Sequence, residues 1–168
     1  MSIYGRATVQ DLARGQQAFA NDLDRVLRGR TLDDLGWAMP DEMTLLVPMF
    51  GTTTSGSKDP YLLRLYFDHY PEWPPSAQFV NPLTLEYRLA EDAKWVPNST
   101  SHPEIALHTN YAGSSGQVVC CSLTLEFYKV NHSVEPHLVW NGGKQTFAAT
   151  IASIKRALVP PHYAGRNA

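Results

Sequence analysis

The stretch that decides the fold is residues 44–80, TLLVPMFGTTTSGSKDPYLLRLYFDHYPEWPPSAQFV. Two apolar, strand-forming runs, 44–50 and 61–67, flank a polar turn that contains glycine, and a third short run, 77–80, follows a proline-rich turn. Because proline cannot donate to a β-ladder, the proline-rich turn must lie outside the sheet. Runs bounded by turns in this way predict three antiparallel strands.

An amphipathic helix is predicted ahead of these strands. Residues 9–28 repeat apolar side chains close to the helical period, and Gly29 fits a helix stop. The exposed face of this helix carries Arg14, Arg25 and Arg28. These charges favour a solvated surface and, as the alternative, a docking surface for a partner.

A second helix is predicted near the end of the chain, followed by two prolines that cannot continue it. Its apolar face consists of Phe147, Ile151, Ile154, Ala157 and Leu158. Residues 82–115 contain three prolines and no sustained period, so we expect an extended, loop-rich connection there. The order helix, strands, long loop, helix lacks β-α-β alternation and therefore predicts an α+β fold with an antiparallel meander.

Length, composition and net charge indicate the number of domains and argue against several classes of partner. With 168 residues, of which 43% are hydrophobic and 18% charged, the chain is expected to form a single domain over residues 1–168. A net charge of -2 and the lack of a Lys/Arg cluster argue against a nucleic-acid partner. Neither a leader pattern nor a long apolar run is found, so no membrane partner is expected and the predicted compartment is cytoplasmic.

The two cysteines of the chain, Cys120 and Cys121, are adjacent. Ring geometry strains a disulfide between neighbours, and the pair lacks the C-x-x-C spacing that suits zinc. The six histidines are scattered without i, i+4 pairing, so no metal or other cofactor is predicted. The favoured interpretation is a reduced thiol, and the alternative is two inert core residues.

Several motifs together resemble one family. Residues 70–80, YPEWPPSAQFV, are similar to the Y-P-x-x-P-P-x-x-x-F segment of ubiquitin-conjugating enzymes. His108, Thr109 and Asn110 resemble the H-P-N motif of that family, with threonine for the proline, and the run from Gly116 to Cys120 resembles its glycine turn and nucleophilic cysteine, two residues farther away than usual. Residues 102–105, HPEI, are a second candidate that has glutamate for asparagine and lies even farther from the cysteine.

The segment from Trp140 to the final prolines is similar to the tryptophan, long helix and L-x-x-P ending of the same family. The resemblance covers about residues 9–161 and implies a UBC-like fold, in which an active-site loop separates the meander from the last helix. The enlarged segment after the strands resembles divergent bacterial members. These act beside ubiquitin-like proteins, activating enzymes and peptidases in operons that often serve antiphage (antiviral) defence.

Such an enzyme accepts the C-terminal acyl group of a ubiquitin-like protein from an activating enzyme as a cysteine thioester, then passes it to a nucleophile on a target protein. The resemblance assigns the thioester to Cys120 and places His108 and Asn110 in the active-site motif. A carboxamide is a neutral donor suited to an oxyanion, so Asn110 is the candidate for that role, with capping of its own turn as the alternative. In this alignment Cys121 occupies the buried position that flanks the nucleophile. Placing Cys121 at the nucleophile position instead would bury the Ser122 hydroxyl.

Two other functions stay open. The chain could be a non-catalytic module of the same fold that binds a ubiquitin-like protein or its activating enzyme, or an unrelated cysteine hydrolase that uses Cys120 with His108. His132 and His137 follow the cysteines and could help to deprotonate an incoming amine, although histidines in surface loops usually have no such role.

Overall fold

The computed structural model describes residues 9–112, 116–130 and 133–167. Helix α1 spans Val9–Leu27, and the chain leaves it through Gly29, which has a positive φ of 82° that favours glycine. The first helix and its stop are therefore confirmed. Arg14 and Arg25 of α1 both have ion-pair partners, since Arg14 contacts Glu72 at 2.9 Å and Arg25 contacts Asp22 at 3.4 Å, whereas Arg28 follows the end of the helix.

A four-stranded antiparallel sheet follows, with its strands in chain order. The strands are β1 (Ala38–Asp41), β2 (Thr44–Thr52), β3 (Lys58–Tyr66) and β4 (Ser76–Val80). The three predicted strands correspond to β2, β3 and β4, and the antiparallel meander is confirmed. Strand β1 was not predicted, because it is a mostly exposed edge strand that contains Pro40 and has no apolar alternation.

One face of the sheet packs against both long helices. Helix α4 spans Phe147–Ala157, as the apolar period predicted, with Thr146 accepting a capping hydrogen bond from the amide of Ala148. The Phe19 ring of α1 stacks on Phe67 at 3.8 Å between centroids, and Phe147 meets both rings edge-on at 5.5 Å. The chain therefore has an α+β fold with its main core between the sheet and the two helices.

The proline-rich turn anchors several elements at once. The Tyr70 hydroxyl donates to Asp22 of α1 at 2.5 Å and accepts from the amide of Phe147 at 3.3 Å. The indole of Trp140 donates to the carbonyl of Pro71 at 2.8 Å. The two sequence segments that resemble one family, 70–80 and the tail from Trp140, are therefore in direct contact.

The expectation of a loop-rich connection over residues 82–115 is wrong in part. This segment contains a short helix, α2 (Leu89–Asp92), and two strands, β5 (Pro97–Ser99) and β6 (Ala106–Tyr111). Strand β6 pairs with β7 (Gly116–Cys120), and β5 pairs with a final strand, β8 (Tyr163–Arg166). No residue of β6 is fully buried, so this strand needs no alternation of apolar and polar side chains. Its sequence therefore lacks the pattern from which a strand is predicted.

Candidate functional site

The two cysteines lie at the end of a two-stranded ribbon made of β6 and β7. Its register pairs Ala106 with Cys120, Leu107 with Val119 and His108 with Val118. Because residues paired across an antiparallel ribbon share a face, Ala106, His108 and Cys120 lie on the same side of it. Val119 and Leu107 lie on the other side, which packs on the main core.

The pleat of the strand makes the two cysteines unequal. Successive side chains point to opposite faces, so Cys121 turns inward, where only 2% of it is exposed, and packs with Ile105 and Ala157. Cys120 is half-buried and lies beside the exposed Ala106. Of the two thiols, Cys120 is therefore the one that a reagent or a protein partner can reach.

Side chains, and not a neighbouring strand, hold this ribbon against the main sheet. The carboxamide of Gln117 accepts from the amide of Phe79 at 2.6 Å and donates to the carbonyl of Phe79 at 2.7 Å. Glu126, at the start of helix α3 (Leu125–Lys129), accepts from the amide of Ala77 at 3.0 Å and from the hydroxyl of Ser76. The free edge of β4 is thus satisfied by these two residues, which fixes the position of Cys120 relative to the core.

Desolvation dominates the electrostatics of both thiols. Burial raises the pKa of the Cys120 thiol above its ordinary value. Burial raises the pKa of Cys121 to about 12, against smaller opposing hydrogen bonds from Leu123 and Thr124. At neutral pH both sulfurs are therefore mainly thiols, and neither is the activated thiolate that a hydrolytic cysteine needs.

The ribbon brings His108, but not Asn110, towards Cys120. His108 is a diagonal neighbour of Cys120 on the same face, a relationship that spans about 7–8 Å between Cα atoms. Its ring lies against Tyr111, 4.9 Å between centroids. Asn110 is exposed and lies four residues along β6 from the cross-strand partner of Cys120, about 13 Å at ~3.3 Å per residue. An oxyanion role for Asn110 stays a prediction that needs movement of the ribbon.

The second motif candidate, residues 102–105, lies at the cysteine end of the ribbon. Ile105 is 4% exposed and shares the small buried cluster of Cys121, whereas its neighbours Glu104 and Ala106 are exposed. Strand β6 begins at Ala106, so Glu104 lies in the bend ahead of it and outside the paired register of the ribbon. Through Ile105 this motif contacts the buried cysteine, whereas Asn110 lies near the other end of β6.

A cleft of about 690 Å³ is lined by Cys121 and not by Cys120. Its apolar lining includes Pro103, Leu123 and Phe127, and its polar lining includes Glu104, Ser122, His137 and Arg156. His137 therefore faces a cavity next to the candidate site, whereas His132 lies outside the described residues. Pockets of this size with a few convergent polar groups are the usual form of a binding site.

The described residues contain neither a metal-binding cluster nor a membrane-spanning helix. Within residues 9–112, 116–130 and 133–167, no group of three or more His, Cys, Asp or Glu side chains is arranged to hold a metal ion. Among the helices of these residues, none has the length and apolar character needed to cross a membrane. Comparisons of the chain with family models, curated proteins and solved structures found no match.

Proposed function

We propose that this chain is a conjugating enzyme with a UBC-like fold that carries the acyl group of a ubiquitin-like protein on Cys120. The observation that supports this most is the unequal placement of the cysteine pair. Cys120 is accessible at the end of β7, and Cys121 is 2% exposed in a buried cluster. The partners of this reaction are a ubiquitin-like protein, its activating enzyme and a target protein.

The environment of Cys120 suits a carrier of activated acyl groups. Since the incoming acyl group is already a thioester, the cysteine needs exposure and a modest thiolate population, not a catalytic triad. Burial raises the pKa of Cys120, so its thiolate is a poorer leaving group than an ordinary cysteine. A thioester on this sulfur is therefore expected to resist water and to wait for a better nucleophile.

The surrounding contacts also agree with the resemblance. The turn at residues 70–75 contacts α1, Trp140 and the start of α4, so the segments that resemble the family form one connected scaffold. His108 and Asn110 keep the roles that the resemblance implies as predictions. Their distances from Cys120 differ, since His108 is a diagonal neighbour and Asn110 lies at the far end of β6.

A non-catalytic module is the second candidate function. The observation that favours it is the position of Asn110, which leaves Cys120 without an adjacent carboxamide from that motif. Such a module would bind a ubiquitin-like protein or its activating enzyme in the same way after both cysteines are replaced. A cysteine hydrolase is less well supported, because a raised pKa disfavours the thiolate that attacks an unactivated ester or peptide.

The test is to mix the chain with its activating enzyme, ATP and the ubiquitin-like protein, and to measure the adduct by intact mass with and without reductant. The proposal expects a reductant-sensitive adduct in the wild type and in Cys121→Ala. Cys120→Ser should lose that adduct or replace it by a reductant-resistant ester. Complex formation without any covalent species would favour the non-catalytic module, and an undiminished reductant-sensitive adduct in Cys120→Ser would refute the assignment of the site.

A further inference from the structure

We propose that residues 100–105 form a cover over the buried Cys121 that opens when His102 is protonated, so that mildly acidic pH exposes the second thiol of the chain. This inference goes beyond the proposed function, because it concerns Cys121 and not the acyl carrier Cys120. It is carried by an edge-on contact between the rings of His102 and His162, with 4.6 Å between their centroids.

The cover joins β5 to β6 and packs on Cys121 at its end. Ile105, its last residue, is 4% exposed and forms the small buried cluster with Cys121 and Ala157. Pro103 and Glu104 line the same cleft as Cys121, of which only 2% is exposed. Access to this sulfur therefore depends on the position of the cover.

The cover is held against the turn that precedes β8. The amide of Thr100 donates to the carbonyl of His162 at 2.8 Å, and the amide of Glu104 donates to Nδ1 of His102 at 3.1 Å. Between these bonds, Ser101 has a positive φ of 63°, in the left-handed region that a residue with a Cβ rarely adopts. The closed position is therefore strained at Ser101 and depends on these contacts.

The closed position requires an uncharged His102 ring. Its Nδ1 accepts the hydrogen bond from Glu104, so that nitrogen carries no proton. An imidazolium has a proton on both nitrogens and cannot accept, so protonation breaks this bond. Nδ1 of His162 is buried and has no hydrogen-bond partner among the described residues, so the two rings meet without a hydrogen bond at that atom. Protonation of His102 therefore favours the open position.

The groups that face His102 set the pH at which this happens. Among the described residues they are Glu104 of the cover, Arg156 of α4 and His162. Burial lowers the pKa of His102 most, and His162 and Arg156 lower it further, against the opposing effect of Glu104. The closed position thus favours neutral His102, and its stability is lost as pH falls from the ordinary histidine pKa, about 6.5, through the lowered value.

The test measures how well Cys121 is protected from a thiol reagent at two pH values. In Cys120→Ser, Cys121 is the remaining thiol, and dithiodipyridine converts it to a mixed disulfide with release of thiopyridone, whose absorbance gives the rate. The rate for free cysteine divided by this rate is a protection factor that corrects for the pH dependence of the reagent. Because opening takes up one proton, the factor should fall on the order of 10-fold between pH 7.5 and pH 5.

Matched variants assign the effect to His102. His102→Asn does not titrate but keeps an acceptor for the amide of Glu104, since the carboxamide oxygen of asparagine readily accepts from an amide two residues on. Its protection factor should be the same at both pH values, and the same result is expected for His102→Gln, a second side chain without titration. His137→Asn, at another residue that lines the cleft, should keep the fall of the parent chain.

Far-UV circular dichroism at both pH values shows whether each chain remains folded. A folded parent chain whose protection factor does not fall at pH 5 would overturn the inference, as would an equal fall in His102→Asn and His102→Gln. Loss of the circular dichroism signal of the parent at pH 5 would also overturn it, because Cys121 would then be exposed by global unfolding and not by the cover.

Discussion

The side chain of Gln117 accepts a hydrogen bond from the backbone amide of Phe79 at 2.6 Å and donates one to the backbone carbonyl of Phe79 at 2.7 Å. These bonds satisfy the edge of β4 in place of a neighbouring strand. Gln117 belongs to the same strand as Cys120. The strand of the candidate nucleophile is therefore docked on β4 by a buried carboxamide whose donor and acceptor are both used, beside the bonds of Glu126 to the same edge.

Gln117→Ala should destabilise the chain by about 2–4 kcal/mol, because two buried backbone groups of Phe79 lose their partners. The free energy of unfolding in urea measures this effect. Gln17→Ala, which removes an exposed carboxamide that donates to Asn21 on α1, should change it by less than about 0.5 kcal/mol. Equal stability of the two variants would contradict the docking role of Gln117.

Gly142→Ala should destabilise the contact between the tail and the proline-rich turn. A Cβ at Gly142 would lie 2.0 Å from the carbonyl oxygen of Pro71, which is backbone and also accepts from the Trp140 indole. We expect a loss of about 1–3 kcal/mol in the free energy of unfolding, typical of overpacking. The neighbouring Gly143→Ala would meet only the side chain of Asn141, at 3.2 Å, so a similar loss there would argue against this explanation.

The two cysteines should differ sharply in their reaction with iodoacetamide. Burial raises the pKa of Cys120, so its labelling should reach half its maximal rate at a higher pH than that of a free cysteine, about 8.5. Cys121, 2% exposed and with its pKa raised to about 12, should be labelled only after denaturation. Mass spectrometry of wild type and Cys120→Ser separates the sites, and native labelling of Cys120→Ser at the wild-type rate would disprove this assignment.

Glu126→Gln should stabilise the chain at neutral pH. Burial raises the pKa of Glu126, so the folded state favours the protonated form, and wild-type stability falls as pH rises from the ordinary glutamate pKa, about 4.3, through the raised value. Glutamine carries no such penalty and can still accept from the amide of Ala77.

The thermal unfolding midpoint of Glu126→Gln should therefore exceed that of the wild type at pH 7, and the difference should shrink below pH 4. The exposed Glu86→Gln serves as the control, with no pH-dependent difference expected. A midpoint below that of the wild type at pH 7 would show that the two hydrogen bonds to the carboxylate outweigh its burial.

Local patterns in the sequence predicted the main scaffold. The period of residues 9–28 and of the segment from Phe147 gave the two long helices, because a helix that buries one face must repeat apolar residues every three to four positions. The sequence also predicted strands β2, β3 and β4 and the proline-rich turn. These elements follow each other closely in the chain, and β2 and β3 each have a buried core face.

The tertiary structure alone decided the arrangement of the candidate site. Strand β6 has no fully buried residue, so its pairing with β7 defines it, and Gln117 of β7 holds the ribbon against β4. The sequence determined that one cysteine pair is available for chemistry. The pleat and the cross-strand register decided that Cys120 lies on the same face as Ala106 while Cys121 is buried, because the direction of a side chain on a ribbon depends on pairing between residues distant in the chain.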